Sequence, residues 1–369
     1  MSGRPTIGIA LDSGGAMGGA HIGVLEVLKE HNIPLDVIVG SSAGAAVGAF
    51  YAAGSLEIFK GLISDLNFIE ALRFYADPVF PVSGIFAGKR ARKFLTTLLH
   101  ETKIEDLPLS YVAVATDILT GETVPISEGL LADAVMASIS MPGIFRPVIL
   151  GDRILTDGGV SDPLPLDILK SFSPDITIAC NLHSRLPDKL SSSQSKAIVT
   201  AQKKEGEADE DISSWVIDRV LAALPMERIA ERIKGLRGMF RSTSGDTAVP
   251  VRENDLLNAL KDQIDESKDR IGSLISKGFV KKNKADMLNI FEIMLSATNI
   301  QQYQKNRLML MYITPDILIE PVIDQVRALE FNKGESTIIE GRKKAEAAIP
   351  AIKALIEEKS LLLGQVQGG

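Results

Sequence analysis

Twice near its N-terminus the chain passes from a short apolar run, through a turn rich in small residues, into a helical run, and this repetition narrows the fold class more than any other feature. Thr6 to Leu11 reads as a strand, Asp12 to Gly19 as the turn and Ala20 to His31 as a helix. Asp36 to Val39 then leads through Gly40-Ser41-Ser42-Ala43-Gly44 into a helix over Ser42 to Ala53. Strands that return in parallel need helical crossovers between them, so the pattern predicts an α/β sheet. Tyr111 to Thr116 and Glu122 to Ile126 flank Thr120-Gly121, which reads as a hairpin turn. Ile154-Leu155 and Asp175 to Ala179 supply further short strands, and the short connections among these elements are where a site is expected.

The two halves of the chain differ in chemistry. Residues 1–185 hold 13 Lys+Arg against 20 Asp+Glu, whereas residues 186–369 hold 27 of each, so the net charge of -7 belongs entirely to the first half. All four histidines, His21, His31, His100 and His183, lie there too. An acidic balance without a basic stripe excludes nucleic acid as a partner, because phosphate neutralisation needs a concentrated cationic face. With 45% hydrophobic and 24% charged residues over 369, the chain is globular, one large or two medium domains. The single cysteine, Cys180, sits in the apolar run Ile176 to Cys180 and reads as a buried thiol. The apolar stretch near the N-terminus is broken at Asp12, too short for a signal-peptide core, and is read as a cytoplasmic start. The run Ala43 to Gly54 falls well short of the roughly 20 residues that a membrane-spanning helix needs.

From about Ser184 the texture turns to serine, lysine and glutamate and reads as a solvated linker. Met226, Ile229, Ile233, Leu236 and Phe240 then line one stripe of a helix whose other faces carry a net +3 over Met226 to Arg241. A core or dimer-interface helix and a helix lying on an anionic membrane both fit, and Trp215 suits either. Further helices are expected over Asn254 to Lys277 and Lys284 to Met311. Lys89-Arg-Ala-Arg-Lys93 reads as the solvated face of a helix.

Three motifs carry candidate chemistry. Gly40-Ser41-Ser42-Ala43-Gly44 fits G-x-S-x-G between a strand and a helix, where small neighbours permit a sharp turn that presents the Ser42 hydroxyl beside a helix N-terminus. Asp12-Ser13-Gly14-Gly15-Ala16-Met17-Gly18-Gly19 can gather backbone N–H groups around an oxyanion. A phosphate loop is the competing reading, but the G-K-[ST] ending is absent and the spacing is wrong for G-x-G-x-x-G. Asp157-Gly158-Gly159 stands at a strand end, where an aspartate is either a reactive carboxylate or a simple turn former.

In order along the chain, Ala20-His21-Ile22-Gly23-Val24-Leu25, the Ser42 pentapeptide, Val114 to Gly121, Ala137 to Phe145 and Leu155-Thr-Asp-Gly-Gly-Val160 through Leu164-Pro165 resemble the patatin-like phospholipases. They are most similar to the bacterial branch akin to the catalytic domain of neuropathy target esterase. The resemblance is dense over residues 6–182 and resumes near Asp316 to Gly341. It implies a three-layer α/β/α sandwich, with a catalytic domain over 6–185, a linker and helical insertion over 186–290, and a helical segment over 291–369 that returns to the catalytic domain.

The resemblance further implies a Ser42–Asp157 dyad in which Asp157 takes the serine proton. An oxyanion hole would form at Gly14, Gly15 and Ala16, with Gly40, Gly44, Gly158 and Gly159 in support. Neither cofactor nor metal is implied. Substrates would be phospholipids, lysophospholipids or other acyl esters, met in the cytoplasm or at the inner face of the membrane through residues 215–241, and a homo-oligomer fits the apolar stripe. An α/β-hydrolase carries its elbow after several strands and a histidine downstream of the acid, whereas here two strands precede Ser42 and His183 alone follows Asp157; His21 is expected to pack or cap rather than react. Ser13 replaces a usual third glycine but still supplies a backbone N–H, and Met17 replaces a usual basic residue, which removes a cation that could hold the loop or an anionic head group. A fold retained for acyl binding without turnover, and acyl transfer to a carrier, are the competing readings.

Overall fold

The computed structural model describes residues 4–65, 86–185, 290–323, 326 and 333–367. Eight strands, β1 (Ile7–Leu11), β2 (Val37–Ser41), β3 (Ser110–Asp117), β4 (Thr123–Ile126), β5 (Val148–Leu150), β6 (Arg153–Asp157), β7 (Ile176–Cys180) and β8 (Ile317–Ile319), form one sheet. Its order is β5-β6-β3-β2-β1-β7-β8, with β4 paired to β3. The strands from β3 through β8 in that order run parallel, while β4 and β6 pair antiparallel with β3 and β5 pairs antiparallel with β6.

Alternation along the strands sends side chains to two separate cores. Ile7, Ile9, Leu11, Ile38, Tyr111, Ala113 and Ile178 face the larger one, which is closed by α1 (Gly19–Glu30), α2 (Ala43–Ala52), α5 (Leu131–Ser138) and α8 (Gly334–Gln367). Ala10, Val39, Val112, Val114 and Ala179 face the smaller one, covered by α6 (Leu166–Ser171) and by Met309 and Leu310 of α7 (Ile290–Tyr312). The result is the three-layer α/β/α sandwich. Two more helices, α3 (Leu56–Asp65) and α4 (Lys89–Leu99), flank the larger core, and α4 buries Ala91, Phe94, Leu95, Leu98 and Leu99.

The C-terminal segment is built into this architecture. β8 extends the sheet beside β7, with Ile178 opposite Ile317, and α8 lies along α1. A Cβ on Gly23 of α1 would stand 2.1 Å from the Ile338 carbonyl oxygen of α8, so only glycine lets the two backbones approach so closely. Arg342 of α8 fastens the pair by donating to Glu26 at 2.9 Å and to Glu30 at 2.6 Å.

The expected β1, β2, β3, β4 and β7 appear with ends shifted by one or two residues, and Gly121 makes the hairpin turn at a φ of 77°. β2 runs on to Ser41 and β6 to Asp157 because β3 offers both of them ladder partners. The linker, the 226–241 and 254–277 helices and all but the last residue of the expected 186–290 insertion lie outside the described residues. Among the described residues, no helix is long and apolar enough to cross a membrane.

β3 also sets the position of the site. β4 takes the edge of β3 at Ala113 to Thr116, so β2, which pairs with Ser110 to Val114, and β6, which pairs with Ala115 to Asp117, must share the opposite edge. There they run toward one another, β2 ending with Ser41 opposite Val114 and β6 with Asp157 opposite Ala115.

Candidate active site

Ser42 follows the last residue of β2 and adopts φ 51° and ψ -115°, a conformation that costs a non-glycine residue on the order of 1–3 kcal/mol. Surrounding contacts hold it there. Its N–H donates to Ser138 Oγ at 2.9 Å, and the Ser138 hydroxyl donates in turn to the Val114 carbonyl at 2.6 Å. The helix after the turn passes so near β1 that a Cβ on Gly44 would stand 2.3 Å from the Leu11 carbonyl oxygen. A strained serine at a strand-to-helix turn, with the free N–H groups of a helix start beside it, is the geometry of a nucleophile elbow.

Asp157 meets this hydroxyl from the opposing strand. Ser42 Oγ donates to Asp157 Oδ2 at 2.6 Å, and the Gly159 N–H donates to Oδ1 at 2.7 Å. The backbone beneath is fixed as well, since the Asp157 N–H donates to the Ser140 carbonyl at 3.0 Å and Thr116 Oγ1 donates to the Asp157 carbonyl at 2.9 Å. Burial pushes the Asp157 carboxyl up to about 6, while the hydrogen bonds from Ser42 and Gly159 pull the other way. A carboxylate that holds its proton so readily is suited to taking one from a hydroxyl near neutral pH.

The loop after β1 forms a second wall. Gly14 (φ 152°) and Gly15 (φ 55°) take conformations open to glycine and then enter a short 3-10 turn, Gly15–Gly18. Gly14 and Gly15 border the same small cleft as Ser42, and Ala16, the next residue of the turn, has a buried side chain. The base of the loop is anchored through Asp12, whose Oδ2 accepts from Leu182 N at 2.8 Å, His183 Nδ1 at 2.9 Å and Asn306 Nδ2 at 2.8 Å. Gly158 and Gly159 pack tightly in the turn after Asp157: a Cβ on Gly158 would meet the Val114 carbonyl oxygen at 2.1 Å.

The patatin-like phospholipase family model matches residues 9–170 of the chain. An uncharacterized NTE family protein of Mycobacterium tuberculosis is 31% identical over 352 residues, spanning 95% of this chain and 93% of that protein. The chain belongs to the patatin-like phospholipase family. A patatin-like phospholipase domain-containing protein 7 of Rattus norvegicus is 32% identical over 186 residues, which are 48% of this chain and only 14% of that protein. Among solved structures, VipD from Legionella pneumophila aligns with a TM-score of 0.33 and 14% identity over 97% of this chain and 88% of its own.

Two histidines, His21 and His183, lie close to the loop, and neither hydrogen-bonds Ser42 or Asp157. His21 is fully buried; its Nε2 donates to the Asp12 carbonyl at 2.7 Å and its Nδ1 lies 3.2 Å from Cys180 Sγ. Burial lowers its pKa to about 4, so the ring is neutral, and Nδ1 accepts from the Cys180 thiol, itself held protonated by burial. His21 and Cys180 are both fully buried, and burial of the thiol is as the sequence suggests. Met17 is buried too and packs under Gly14, so this position supports the loop from below.

Two contributions escape the sequence reading. Ser138, quoted above only as part of a family motif, braces the elbow. The far wall of the cleft comes from α7, through Leu295, Thr298, Asn299 and Gln302. A long helix was expected here, but its periodicity carries no sign of which face meets a residue more than two hundred positions away. Among the described residues, no group of three His, Cys, Asp or Glu side chains is placed to hold a metal ion.

Proposed function

We propose that the protein is a serine lipid acyl hydrolase, of the phospholipase A or lysophospholipase type, with Ser42 as nucleophile and Asp157 as base. The observation that carries this reading is the 2.6 Å hydrogen bond from Ser42 Oγ to Asp157 Oδ2, made at a strained elbow and beside a glycine-rich loop. Membership of the patatin-like phospholipase family supports a lipid ester as the substrate.

In the first half-reaction the Asp157 carboxylate takes the Ser42 proton as Oγ attacks the ester carbonyl. The negative charge gathers on the carbonyl oxygen, where the N–H groups of Gly14, Gly15 and Ala16 receive it. Asp157 then gives the proton to the departing alcohol or lysolipid oxygen, leaving an acyl group on Ser42. Water, deprotonated by the same carboxylate, attacks the acyl-enzyme and releases the fatty acid, and the proton returns to Ser42. No histidine is required.

The test is hydrolysis of a panel of phospholipids, lysophospholipids and neutral acyl esters by wild type and Ser42→Ala. Fatty-acid release by the wild type and none by the variant upholds the reading. A folded wild type that releases none from any of them points to acyl binding instead.

A further inference from the structure

Three consecutive backbone carbonyls just after Asp157 accept hydrogen bonds from side chains of a single helix. Gln302 Nε2 donates to the Gly159 carbonyl at 3.2 Å, Gln301 Nε2 to the Val160 carbonyl at 3.1 Å, and Lys305 Nζ to the Ser161 carbonyl. One turn further along α7, Asn306 Nδ2 donates to Asp12 Oδ2 at 2.8 Å and to Asn181 Oδ1 at 3.0 Å. Spacings of one, three and four residues put these four side chains on one side of the helix. Gln302 and Asn306 are buried, at 5% and 1% exposure.

Long side chains lose much conformational freedom when fixed, and buried amides gain little net stability from bonds they could equally make to water. A helix needing only to cover the sheet would do so with apolar residues, as α7 itself does at Met309 and Leu310. Its polar side grips two places, the turn that carries Asp157 and the aspartate that anchors the glycine-rich loop.

We propose that Gln302 is a positioning residue of the Ser42–Asp157 pair, acting through Gly159. The path is short. Gln302 holds the Gly159 carbonyl, the Gly159 N–H donates to Asp157 Oδ1 at 2.7 Å, and the other carboxylate oxygen receives Ser42 Oγ at 2.6 Å. The peptide plane that carries the bond to Asp157 therefore lies one residue from the plane that Gln302 fixes. The two residues lie close together here: a Cβ on Gly159 would stand 2.3 Å from Gln302 Nε2. The catalytic unit then extends beyond the residues matched by the family model, into a helix that the chain supplies after residue 290.

The inference rests on the proposed dyad for its effect on turnover, but not for its effect on Asp157. Gln302→Met keeps the length of the side chain and removes the donor. Gln302→Ala, which demands no repacking, serves where the methionine variant fails to fold. The first readout is the titration of the Asp157 carboxyl carbon by NMR in selectively labelled full-length protein, assigned by its loss in Asp157→Asn. The second is ester hydrolysis per mole of active protein, with kcat and KM separated across pH.

A loosened Gly159 N–H withdraws a bond that favours the carboxylate, so the Asp157 titration moves upward in the variant. The kcat falls about tenfold while KM changes less than about twofold, as expected of lost alignment rather than lost binding. An Asp157 titration identical to wild type in a folded variant overturns the inference, even where the variant is less stable. A shifted titration in a protein that hydrolyses no ester upholds the inference and sinks the hydrolase reading.

Discussion

Ser42 and Asp157 meet because two strands share one edge of a third: β2 leaves β3 at Ser41, opposite Val114, and β6 arrives with Asp157 opposite Ala115, the next residue along. Sheet register thus sets the distance between hydroxyl and carboxylate. Short side chains suffice for both partners, and a histidine between them would have no room. Asp157→Glu, one methylene longer, is expected to push the carboxylate past Oγ and cost at least about 100-fold in kcat, since a misplacement near 1 Å carries a penalty of that order. Steady-state hydrolysis by the purified variant checks this, and near-wild-type turnover would argue against placement by register.

The buried carboxylate predicts a pH profile. Asp157 must be ionised to accept a proton, and burial raises its pKa to about 6 from the ordinary value of 3.8. Activity at low substrate should therefore climb through an acidic limb near pH 6 and level off above it. A limb near pH 4 would show that the site is more solvated than its burial implies.

The same shift predicts a conflict between stability and activity. A carboxyl whose folded pKa lies above its unfolded one binds its proton more tightly in the native state, so stability falls as pH rises from about 3.8 to about 6 and stays lower above that. A shift of roughly two units corresponds to about 3 kcal/mol. Asp157→Asn removes the ionised form and should unfold at higher denaturant concentration than wild type at pH 8, with the gain shrinking toward pH 4, while losing nearly all activity. Equal midpoints at pH 8 would contradict the burial argument.

His21 behaves in the opposite sense. Its folded pKa of about 4 lies below the ordinary 6.5, so its contribution to stability is complete above pH 6.5 and is lost as pH falls from there toward 4. His21→Ala should lower stability by about 2–4 kcal/mol through the cavity and the unpartnered Asp12 carbonyl. The protein that remains folded should still react with a fluorophosphonate at Ser42. Loss of labelling equal to that of Ser42→Ala, in His21→Ala or His183→Ala, would assign a histidine to the chemistry.

Ser138 offers a test of the elbow. Its hydroxyl is the acceptor for the Ser42 N–H and the donor to the Val114 carbonyl, so Ser138→Ala leaves both groups unpaired in the interior. A loss of about 1–3 kcal/mol and about tenfold in kcat is expected, with Ser138→Thr closer to wild type than Ser138→Ala. Thermal denaturation and turnover measured on the same samples separate the two effects.

Local chemistry made the parallel core and the elbow readable. β1, β2 and β7 are largely apolar runs, and Ser42 and Asp157 each stand beside small residues at a strand end, where the turn itself is the signal. β5 and β8 escaped because three residues are too few to show alternation. The brace at Ser138 and the clamp at Gln302 escaped for another reason: serines and glutamines on helices usually face water, and only tertiary pairing with Ser42 and with the Gly159 carbonyl gives these two a role. The buried side of Met17 was equally hidden, since position within a glycine-rich loop does not say which way a side chain turns.

In the proposed mechanism Asp157 activates Ser42. The most direct test is the rate at which a fluorophosphonate labels Ser42, followed by intact mass and mapped to the peptide, in wild type and Asp157→Asn at pH 8. Stoichiometric labelling of Ser42 is expected in the wild type, with a rate at least about 1,000-fold lower in Asp157→Asn, in line with the loss of a general base. A folded Asp157→Asn protein that labels Ser42 at the wild-type rate would show that Asp157 is not the base.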